Sequence, residues 1–448
     1  MDHKEKVIAQ VKSEMPVKEK KNGVEITNPF EIVQKLMEDA TKTLELPASF
    51  YEILKKPKRV LKTSIPVRMD SGEIKEFEGM RSQHIDVLGP AKGGIRFHPK
   101  VNEDEVKALS MWMSLKAGIL GIPYGGGKGG IIVDPRELSE RELEELSRGF
   151  IRELEPIIGP DKDIPAPDVN TTPEIMGWML DEFSRLKGKN VPRVITGKPI
   201  ILGGSEGRLE ATGRGVVYTI EEAAKHLGLR LDGMTAVVQG FGNVGSITAK
   251  LLSEKGVKII GITDAGGGVY HEQGLDIKEL MEFAKKTGSV AGFKSYESLS
   301  NKELFSSECD ILVPAALENQ ITAETGPTIK AKIVAEAANG PTDPEGNDAM
   351  EKNGVFVIPD ILCNAGGVTV SYFEWVQNAM NLAWTEREVN DRLHNKMTVA
   401  FDDVYRMKQE KNAGMREAAY LVGVGRLAEA MIARGWIKDW SMPIECNA

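Results

Sequence analysis

Hydrophobic and polar positions follow different periods in the two halves of the chain. In the first half, alternation over residues 59–70 and 72–87 predicts two strands paired around a turn at 70–72. Residues 102–120 and 137–154 have a helical period, and Asn102 stands where a helix cap is expected. This half therefore predicts strands mixed with helices.

From about residue 211 the pattern changes to strand, helix, strand. Short and nearly continuous apolar runs predict buried strands at 235–239, 257–264, 309–316, 331–338 and 354–360. Helical segments lie between several of these runs, which is typical of a mostly parallel sheet covered by helices. Residues 385–436 are predicted to be helical, and the Gly- and Pro-rich stretch 188–208 is the expected crossing between two domains.

Composition and charge narrow the class of protein. The 448 residues are 41% hydrophobic and 27% charged, which allows two domains with cores of their own. A net charge of −9 argues against nucleic acid or an anionic membrane as a partner. No apolar run approaches the ~18 residues of a membrane span, and residues 1–23 predict a solvated arm rather than a signal peptide.

Cysteine usage points to a reducing compartment. Cys309, Cys363 and Cys446 are too few and too scattered for a disulfide framework or a zinc site. We therefore expect a cytoplasmic protein without a metal.

A glycine motif predicts a dinucleotide site. Gly240, Gly242 and Gly245 have the G-x-G-x-x-G spacing, directly after a predicted strand and at the start of a helix. Asp264 ends the next strand, 24 residues after Gly240, where an acid that accepts from a ribose 2′-hydroxyl is expected. Because a carboxylate repels a 2′-phosphate, NAD is favoured, while NADP stays open if a cation reaches in from elsewhere.

A second glycine-rich stretch, "IPYGGGKGG" at 122–130, surrounds Lys128. It is not a P-loop, because Ile122 stands in place of the first glycine and Gly129 in place of Ser or Thr. Apolar segments on both sides argue against a flexible linker. The sequence therefore indicates that this lysine is held against a core.

Three further polar residues stand in rigid or apolar settings. Lys116 interrupts an apolar stripe that is predicted to face inward and that consists of Val106, Leu109, Met113 and Leu120. An equal alternative is that Lys116 lies at the edge of the stripe and keeps its amine in solvent. Lys92 precedes a glycine pair in "GPAKGGIRFHP". Asp168 lies in the proline-stiffened "KDIPAPDVN", where a turn or helix-cap role is the alternative.

Six segments together resemble the signature segments of the glutamate/leucine/phenylalanine/valine dehydrogenase family. They are "GPAKGGIRFHP", "PYGGGKGG", "PAPDVNT", "GFGNVG", "AANGPT" and "NAGGVTVSYFEW". The resemblance runs from about Pro29 to Trp436 and is strongest to the hexameric, glutamate-oxidising members.

The resemblance implies roles for individual residues. Lys128 matches the catalytic lysine and Asp168 its proton-transfer partner, and Lys116 matches the ligand of the substrate α-carboxylate. Lys92 with Ser371 matches the γ-carboxylate site, which Gly93 and Gly94 adjoin. Cofactor contacts are implied for Thr212, Gly240, Gly242, Asn243, Val244, Gly245, Asp264, Ala338, Asn339 and Asn364.

The implied reaction is reversible oxidative deamination of L-glutamate to 2-oxoglutarate and ammonia, with hydride transfer to NAD. Two substrate carboxylates require two fixed cations, so we expect Lys92 and Lys116 to remain charged. Lys128, crowded by them and desolvated, is expected to have a lowered pKa and to act as a base. The surrounding glycines are expected to leave room for substrate.

Two alternatives remain. A branched-chain or aromatic amino-acid dehydrogenase would place an apolar side chain against Lys92 and leave a buried charge unpaired, a penalty of roughly 3–5 kcal/mol. A non-catalytic NAD- or metabolite-sensing homologue is disfavoured because both Lys128 and Asp168 are present. Ser371 has the simpler alternative of bonding its own helix backbone, and a second role such as binding a transcription factor stays open.

The predicted fold class is therefore α/β with two domains. We expect a substrate-binding and oligomerisation domain with a mixed sheet at 1–200, to which a C-terminal helix at 421–448 returns. Residues 201–420 are expected to form a Rossmann-like NAD-binding domain with a mostly parallel sheet, and the active site to lie in the cleft between the domains. A homohexamer is implied by the family alone.

Overall fold

The computed structural model describes residues 28–438 and the backbone of two short antiparallel strands, β1 (Glu19–Lys21) and β2 (Val24–Ile26). The solvated arm expected at 1–23 lies outside the described residues except for β1, and so does the end of the expected C-terminal helix. The described chain forms two compact units. Each is considered by itself.

The mixed-sheet unit comprises Pro29–Arg208, Val368–Asp391 and the chain from Tyr420 onward. Its strands are β3 (Arg59–Arg68), β4 (Ile74–Gln83), β5 (Ala91–Phe97), β6 (Gly125–Ile131) and β7 (Asp163–Pro167). Their order is β3-β4-β6-β5-β7, in which β4 is antiparallel to β3 and β6, and β5 is parallel to β6 and β7. The predicted mixed sheet is confirmed.

Helices cover both faces of this sheet. They are α1 (Pro29–Thr43), α2 (Ala48–Leu54), α3 (Glu103–Leu120), α4 (Glu140–Leu154), α5 (Pro173–Lys187) and most of α12 (Gly366–Met380) and α14 (Met415–Ala433). Asn102 caps α3 as predicted, accepting from the Glu105 N–H at 3.0 Å. Helix α4 begins later than the predicted residue 137, because Ser139 and Glu142 form a capping box there.

The core of the mixed-sheet unit lies between one face of the sheet and helices α4 and α5. Its centre is formed by Ile95, Ile131, Phe150 and Met179, all fully or almost fully buried. The opposite face is covered by α3, which α14 in turn contacts through Arg426, whose guanidinium donates to the Gly118 carbonyl at 2.8 Å.

The parallel-sheet unit comprises Leu209–Gly367 and Arg392–Ala419 among the described residues. Its strands are β8 (Thr235–Gln239), β9 (Lys258–Asp264), β10 (Gly267–Tyr270), β11 (Glu297–Ser298), β12 (Ile311–Pro314), β13 (Ile333–Ala335) and β14 (Phe356–Ile358). In the order β11-β10-β9-β8-β12-β13-β14, the five strands from β9 to β14 in this order are parallel to one another, and β10 is antiparallel to both β9 and β11. The α/β fold with a mostly parallel second sheet is confirmed.

Helices flank the parallel strands. They are α6 (Ala211–His226), α7 (Asn243–Glu254), α8 (Ile277–Thr287), α9 (Asn301–Ser306), α10 (Pro344–Lys352), α11 (Asp360–Cys363) and α13 (Glu386–Lys411). Strand β8 has β9 on one side and β12 on the other, so the strand order reverses there. In open parallel sheets the carboxyl end of such a strand is the usual ligand position.

Two segments differ from the expected division of the chain. Residues 201–420 were expected to form one domain, but residues 201–208 and Val368–Asp391 group with the mixed-sheet unit. Hydrogen bonds connect Val368–Asp391 to the mixed-sheet unit: Glu374 accepts from the Gly197 N–H at 2.8 Å, and Gln377 donates to the Ser205 hydroxyl at 2.9 Å. An apolar helix gives no sequence signal for which unit it joins.

None of the described helices is long and apolar enough to cross a membrane. Within the described part of the chain, no group of three or more His, Cys, Asp or Glu side chains is arranged to hold a metal ion.

Candidate active site

Lys128 lies in the middle of strand β6, every residue of which is buried. Because side chains alternate along a strand, Lys128 shares a face with Gly126 and Gly130. A Cβ added to Gly126 would lie 2.6 Å from the Ser114 backbone nitrogen on α3, so this face is the one that α3 covers. The lysine is thus held by a rigid strand beneath a helix.

The glycines around Lys128 have a different reason from the expected one. A Cβ at Gly127 would lie 2.9 Å from Arg81 Nη2, and one at Gly130 would lie 2.8 Å from Val101 Cγ1. Protein atoms therefore fill the space beside these glycines. The glycine run lets β6 pack closely on α3 and on the buried Arg81. These contacts do not show the room for substrate that was expected beside the glycines.

Asp168 follows strand β7 and forms an ion pair with the Lys128 ammonium. Its other oxygen accepts from the Val169 N–H at 2.7 Å and lies 3.5 Å from Arg96 Nε. Asp168 therefore makes both a local turn contact with Val169 and an ion pair with Lys128. It does not cap helix α5, because Thr172 is the capping residue there. A Cβ at Gly94 would lie 2.6 Å from Asp168 Oδ2, which explains why a glycine stands there.

Opposing effects act on the protonation of this pair. Burial lowers the pKa of Lys128, Asp168 opposes that shift and Arg96 adds to it, with a net lowering. Burial acts to raise the pKa of Asp168, but Lys128 and Arg96 outweigh it and hold that pKa well below its usual range. The lowered pKa of Lys128 agrees with expectation; its cause is burial and Arg96 rather than crowding by the other lysines.

Lys92 lies on strand β5 and only 1% of it is exposed. Burial, followed by the cations Arg208 and Arg81, lowers its pKa well below the ordinary 10.5, against the opposing carboxylates Glu374 and Asp163. Burial is the largest cause, and charging Lys92 therefore costs more in the ligand-free protein than at an exposed position, which bears on the expectation that it stays charged.

Ser371 on α12 lies in the same pocket. Its hydroxyl, which is buried, accepts a hydrogen bond from Arg208 Nε at 3.3 Å. Arg208 is close enough to Lys92 to depress its pKa. The structure thus brings Ser371 and Lys92 to one pocket and adds Arg208, which the sequence analysis did not single out.

The carboxylates near Lys92 already have partners of their own. Asp163 makes a two-point contact with Arg81, at 2.8 and 2.5 Å, and Glu374 accepts from Lys198 Nζ at 2.5 Å. Among residues 28–438, the charges of this pocket therefore leave Lys92 and Arg208 as a surplus of two cations. Such a surplus is suited to an anionic ligand group.

Lys116 is half-buried on α3, as are Leu109 and Met113 of the stripe that predicted its direction. The deeply buried face of α3 is instead formed by residues such as Met111 and Leu115. Val106 and Leu120 at the two ends of the stripe are buried as expected, whereas its middle part, which carries Lys116, is only half-buried. Met113, one turn before Lys116, comes within 3.4 Å of a Cβ built on Gly93, so this face of α3 borders the Lys92 strand.

The parallel-sheet unit holds the other predicted residues. Gly240 follows β8 with φ +91°, a conformation that favours glycine. Gly242 precedes helix α7, and a Cβ added there would meet no atom of the described chain within 4 Å. Space beside Gly242 and the uncapped first amides of α7, which begins with Asn243 and Val244, fit a pyrophosphate.

Other predicted cofactor residues come to the same region. A Cβ at Gly213 would lie 3.1 Å from the Val244 carbonyl, which brings the start of α6, with Thr212, beside the start of α7. Asn364 donates to the Ala338 carbonyl at 3.1 Å and to Asn339 Oδ1 at 2.9 Å. The first contact lies beyond the carboxyl end of β8 and the second beyond that of β13, which are parallel strands of one sheet, and this edge of the sheet is where a dinucleotide site is expected.

Asp264 ends β9 as predicted, and its carboxylate is already engaged. It accepts from Gly266 N–H and Ser289 Oγ, both at 2.8 Å, and from Val290 N–H at 2.7 Å. Two carboxylate oxygens offer about four acceptor positions, so a ribose hydroxyl can still be accommodated. The residues present therefore fit NAD.

Several charged residues of the site were not found from sequence. Arg96 lies within "GPAKGGIRFHP", Arg208 ends the Gly- and Pro-rich stretch 188–208, and Glu374 follows Ser371 by one helical turn in "SYFEW". The signal that could have indicated these residues is a charged residue inside an apolar segment, as for Lys116. This signal does not identify the ion partner of such a residue, because the partners are distant in sequence.

The fold and the site together define a class of protein: a two-unit α/β oxidoreductase with a dinucleotide-binding turn and a separate lysine-rich pocket for an anionic substrate. Residues 203–435 match the family Glutamate/Leucine/Phenylalanine/Valine dehydrogenase, and residues 57–185 match the Glu/Leu/Phe/Val dehydrogenase dimerisation domain. The chain belongs to this family.

Individual relatives are similar over nearly their whole length. The chain is 52% identical over 403 residues to the NAD-specific glutamate dehydrogenase of Staphylococcus aureus (strain COL), covering 90% of this chain and 97% of the relative. A glutamate dehydrogenase structure from Peptoniphilus asaccharolyticus has a TM-score of 0.83 at 46% identity, covering 92% of this chain and 100% of that one. The Leu-bound hetero-hexameric glutamate dehydrogenase from Thermus thermophilus has a TM-score of 0.87 at 37% identity, covering 91% and 97%.

Proposed function

We propose that this chain catalyses the reversible, NAD-dependent oxidative deamination of L-glutamate to 2-oxoglutarate and ammonia. The observation that carries the proposal is the surplus of two cations, the buried Lys92 and the half-buried Arg208, in the unit that also holds the Lys128–Asp168 pair. The similarity to NAD-specific glutamate dehydrogenases supports it.

In this proposal the mixed-sheet unit binds the substrate. Lys92, Arg208 and Ser371 receive the γ-carboxylate, and Lys116 receives the α-carboxylate. Each charge-assisted hydrogen bond contributes on the order of 1.5–3 kcal/mol. Binding of the γ-carboxylate also favours the charged form of Lys92, because an opposite charge raises the pKa of an amine.

An apolar substrate is disfavoured by the same pocket. A leucine side chain would leave Lys92 and Arg208 buried without an anion, which costs roughly 3–5 kcal/mol. We therefore do not propose that this chain is a branched-chain or aromatic amino-acid dehydrogenase.

The parallel-sheet unit binds NAD, which when bound accepts the hydride from the substrate α-carbon. The Gly240–Gly245 turn holds the pyrophosphate, Asp264 accepts from the ribose, and the remaining contacts come from the strand ends that carry Asn339 and Asn364. After hydride transfer, neutral Lys128 takes a proton from the water that attacks the substrate imine. Asp168 passes protons on to the departing ammonia.

The test is direct. Purified protein is mixed with L-glutamate and NAD, and NADH formation is compared with that from leucine, phenylalanine and NADP; 2-oxoglutarate and ammonia are measured as products. Glutamate with NAD should have the highest kcat/KM. Equal or faster oxidation of leucine would refute the substrate assignment.

Assembly and location are also proposals. We propose a homohexamer. The hetero-hexameric relative from Thermus thermophilus supports the number of six subunits but not their identity, and the mass of the particle formed by this chain alone in solution tests the proposal. We propose a cytoplasmic location, supported by Cys309 and Cys363, which are both free thiols.

A further inference from the structure

The buried ion pair Lys198–Glu374 lies in the mixed-sheet unit and has no part in the reaction steps proposed above. Both side chains are 0% exposed. Glu374 accepts from Lys198 Nζ at 2.5 Å and from the Gly197 N–H at 2.8 Å, and Lys198 also donates to the Ile195 carbonyl at 2.8 Å. A buried pair is weak evidence for stability, because removing two charges from water offsets their attraction. Its position suggests another reason.

The pair connects helix α12, which carries Ser371, to strand β7, which Asp168 follows. Glu374 follows Ser371 by one turn of α12, so the two side chains share a helix face. On the other side, the Thr196 N–H donates to the Pro165 carbonyl of β7 at 3.1 Å, and a Cβ at Gly197 would collide with the ring of Pro167. The distance between Ser371 and the end of β7 is therefore set through Glu374.

The pair also faces the substrate cations. The Glu374 carboxylate is near enough to raise the pKa of both Lys92 and Arg208. A lone carboxylate in this place would compete with a substrate carboxylate for those two cations and would repel it. Lys198, in direct contact with Glu374, cancels that charge.

We propose that the Lys198–Glu374 pair determines specificity for an acidic substrate side chain: Glu374 positions the Ser371 helix, and Lys198 neutralises Glu374 so that the pocket keeps its surplus of positive charge. This inference rests on the proposed function, since it concerns how the same pocket selects L-glutamate.

Two substitutions that break the pair should have opposite effects. Lys198→Met leaves Glu374 charged and should raise the KM for glutamate about 10- to 100-fold. It should leave kcat/KM unchanged for L-norvaline, which has a methyl group in place of the distal carboxylate. Glu374→Gln keeps an oxygen for the Gly197 N–H and should leave the glutamate KM unchanged or lower it. The double variant Lys198→Met/Glu374→Gln should restore the glutamate KM towards wild type.

A purely structural pair predicts otherwise. Both single variants would then raise the KM for glutamate and norvaline alike, and the double variant would be no better than either, which would overturn the inference. Lys187→Met, which breaks the surface pair with Glu155 in the same unit, is the matched control and should change neither substrate. Thermal unfolding and NADH binding report on folding.

The outcomes separate this inference from the proposed function. Failure of the wild-type protein to oxidise glutamate refutes the function itself. Normal wild-type turnover with an unchanged glutamate-to-norvaline ratio in Lys198→Met refutes the inference alone. If Lys198→Met does not fold, Glu374→Gln and the double variant decide, and a raised glutamate KM in both refutes it.

Discussion

Replacing Asp168 by asparagine tests whether Lys128 works as a base. The two side chains form an ion pair, with side-chain exposures of 9% and 14%, so the pair is largely shielded from solvent. Asparagine has almost the same shape but no charge. The substitution therefore removes the group that raises the pKa of Lys128, while burial and Arg96 continue to lower it.

The size of the shift follows from electrostatics. Two unit charges about 4 Å apart interact by about 4 kcal/mol at an effective dielectric constant of about 20. Since one pKa unit corresponds to about 1.4 kcal/mol, the pKa of Lys128 should fall by about 3 units. A base must be neutral to act, so the acid limb of the kcat profile should move to lower pH by that amount. Loss of the proton route through Asp168 should also lower kcat by about 10²- to 10⁴-fold.

The assay is NADH formation at saturating glutamate and NAD, measured as a function of pH for both proteins. Asp161→Asn, which breaks a surface pair with Arg193 in the same unit, serves as the control and should leave the profile in place. A limb that stays where it is, or moves to higher pH, would show that Lys128 is not the titrating base. Lys128→Arg should be inactive at every pH and still bind NAD, because a guanidinium is not deprotonated in proteins.

Other predictions address substrate preference, packing and the cofactor. Lys92→Leu should weaken glutamate, improve apolar amino acids and raise the free energy of unfolding by about 1–4 kcal/mol. The lowered pKa of Lys92 means that its charged form destabilises the folded protein at low pH, and that this penalty is lost as pH rises towards 10.5. The stability gained by Lys92→Leu should therefore shrink over that pH range in denaturant titrations. A gain that stays constant with pH would contradict the argument. Gly126→Ala should destabilise by about 1–3 kcal/mol or more, whereas Gly425→Ala, whose Cβ would lie 3.9 Å from the nearest atom, should be neutral or stabilising. Asp264→Ala should reduce the ratio of kcat/KM for NAD to that for NADP, and an unchanged ratio would mean that this carboxylate does not discriminate.

Local sequence signals were sufficient for the elements and for most of the candidate site. The bounds of β8 agree with the predicted 235–239, and Asn102 caps its helix as expected, because both depend on neighbouring residues. Lys128 and Asp168 were both singled out from glycine and proline settings around them, and the structure brings them into contact.

Long-range contacts decided the rest. The apolar stripe of α3 is buried at Val106 and Leu120 but only half-buried around Lys116, because helix periodicity shows a stripe but not which neighbour covers each part of it. The membership of Val368–Asp391 depends on Glu374 meeting Lys198, a partner 176 residues away. No pattern in one segment contains that information.

The sequence by itself determined the α/β class and the glycine-rich turn after β8, since both depend on residue type and short spacing, and its resemblance to a known family singled out Lys128 as the candidate base. Only the tertiary structure decided the protonation of the site. Burial of Lys92 and the approach of Arg208 set its charge, and the packing of Arg81 against Gly127 explains the glycine run. Charge in a protein depends on which groups meet and on how much water is excluded, and folding alone establishes both.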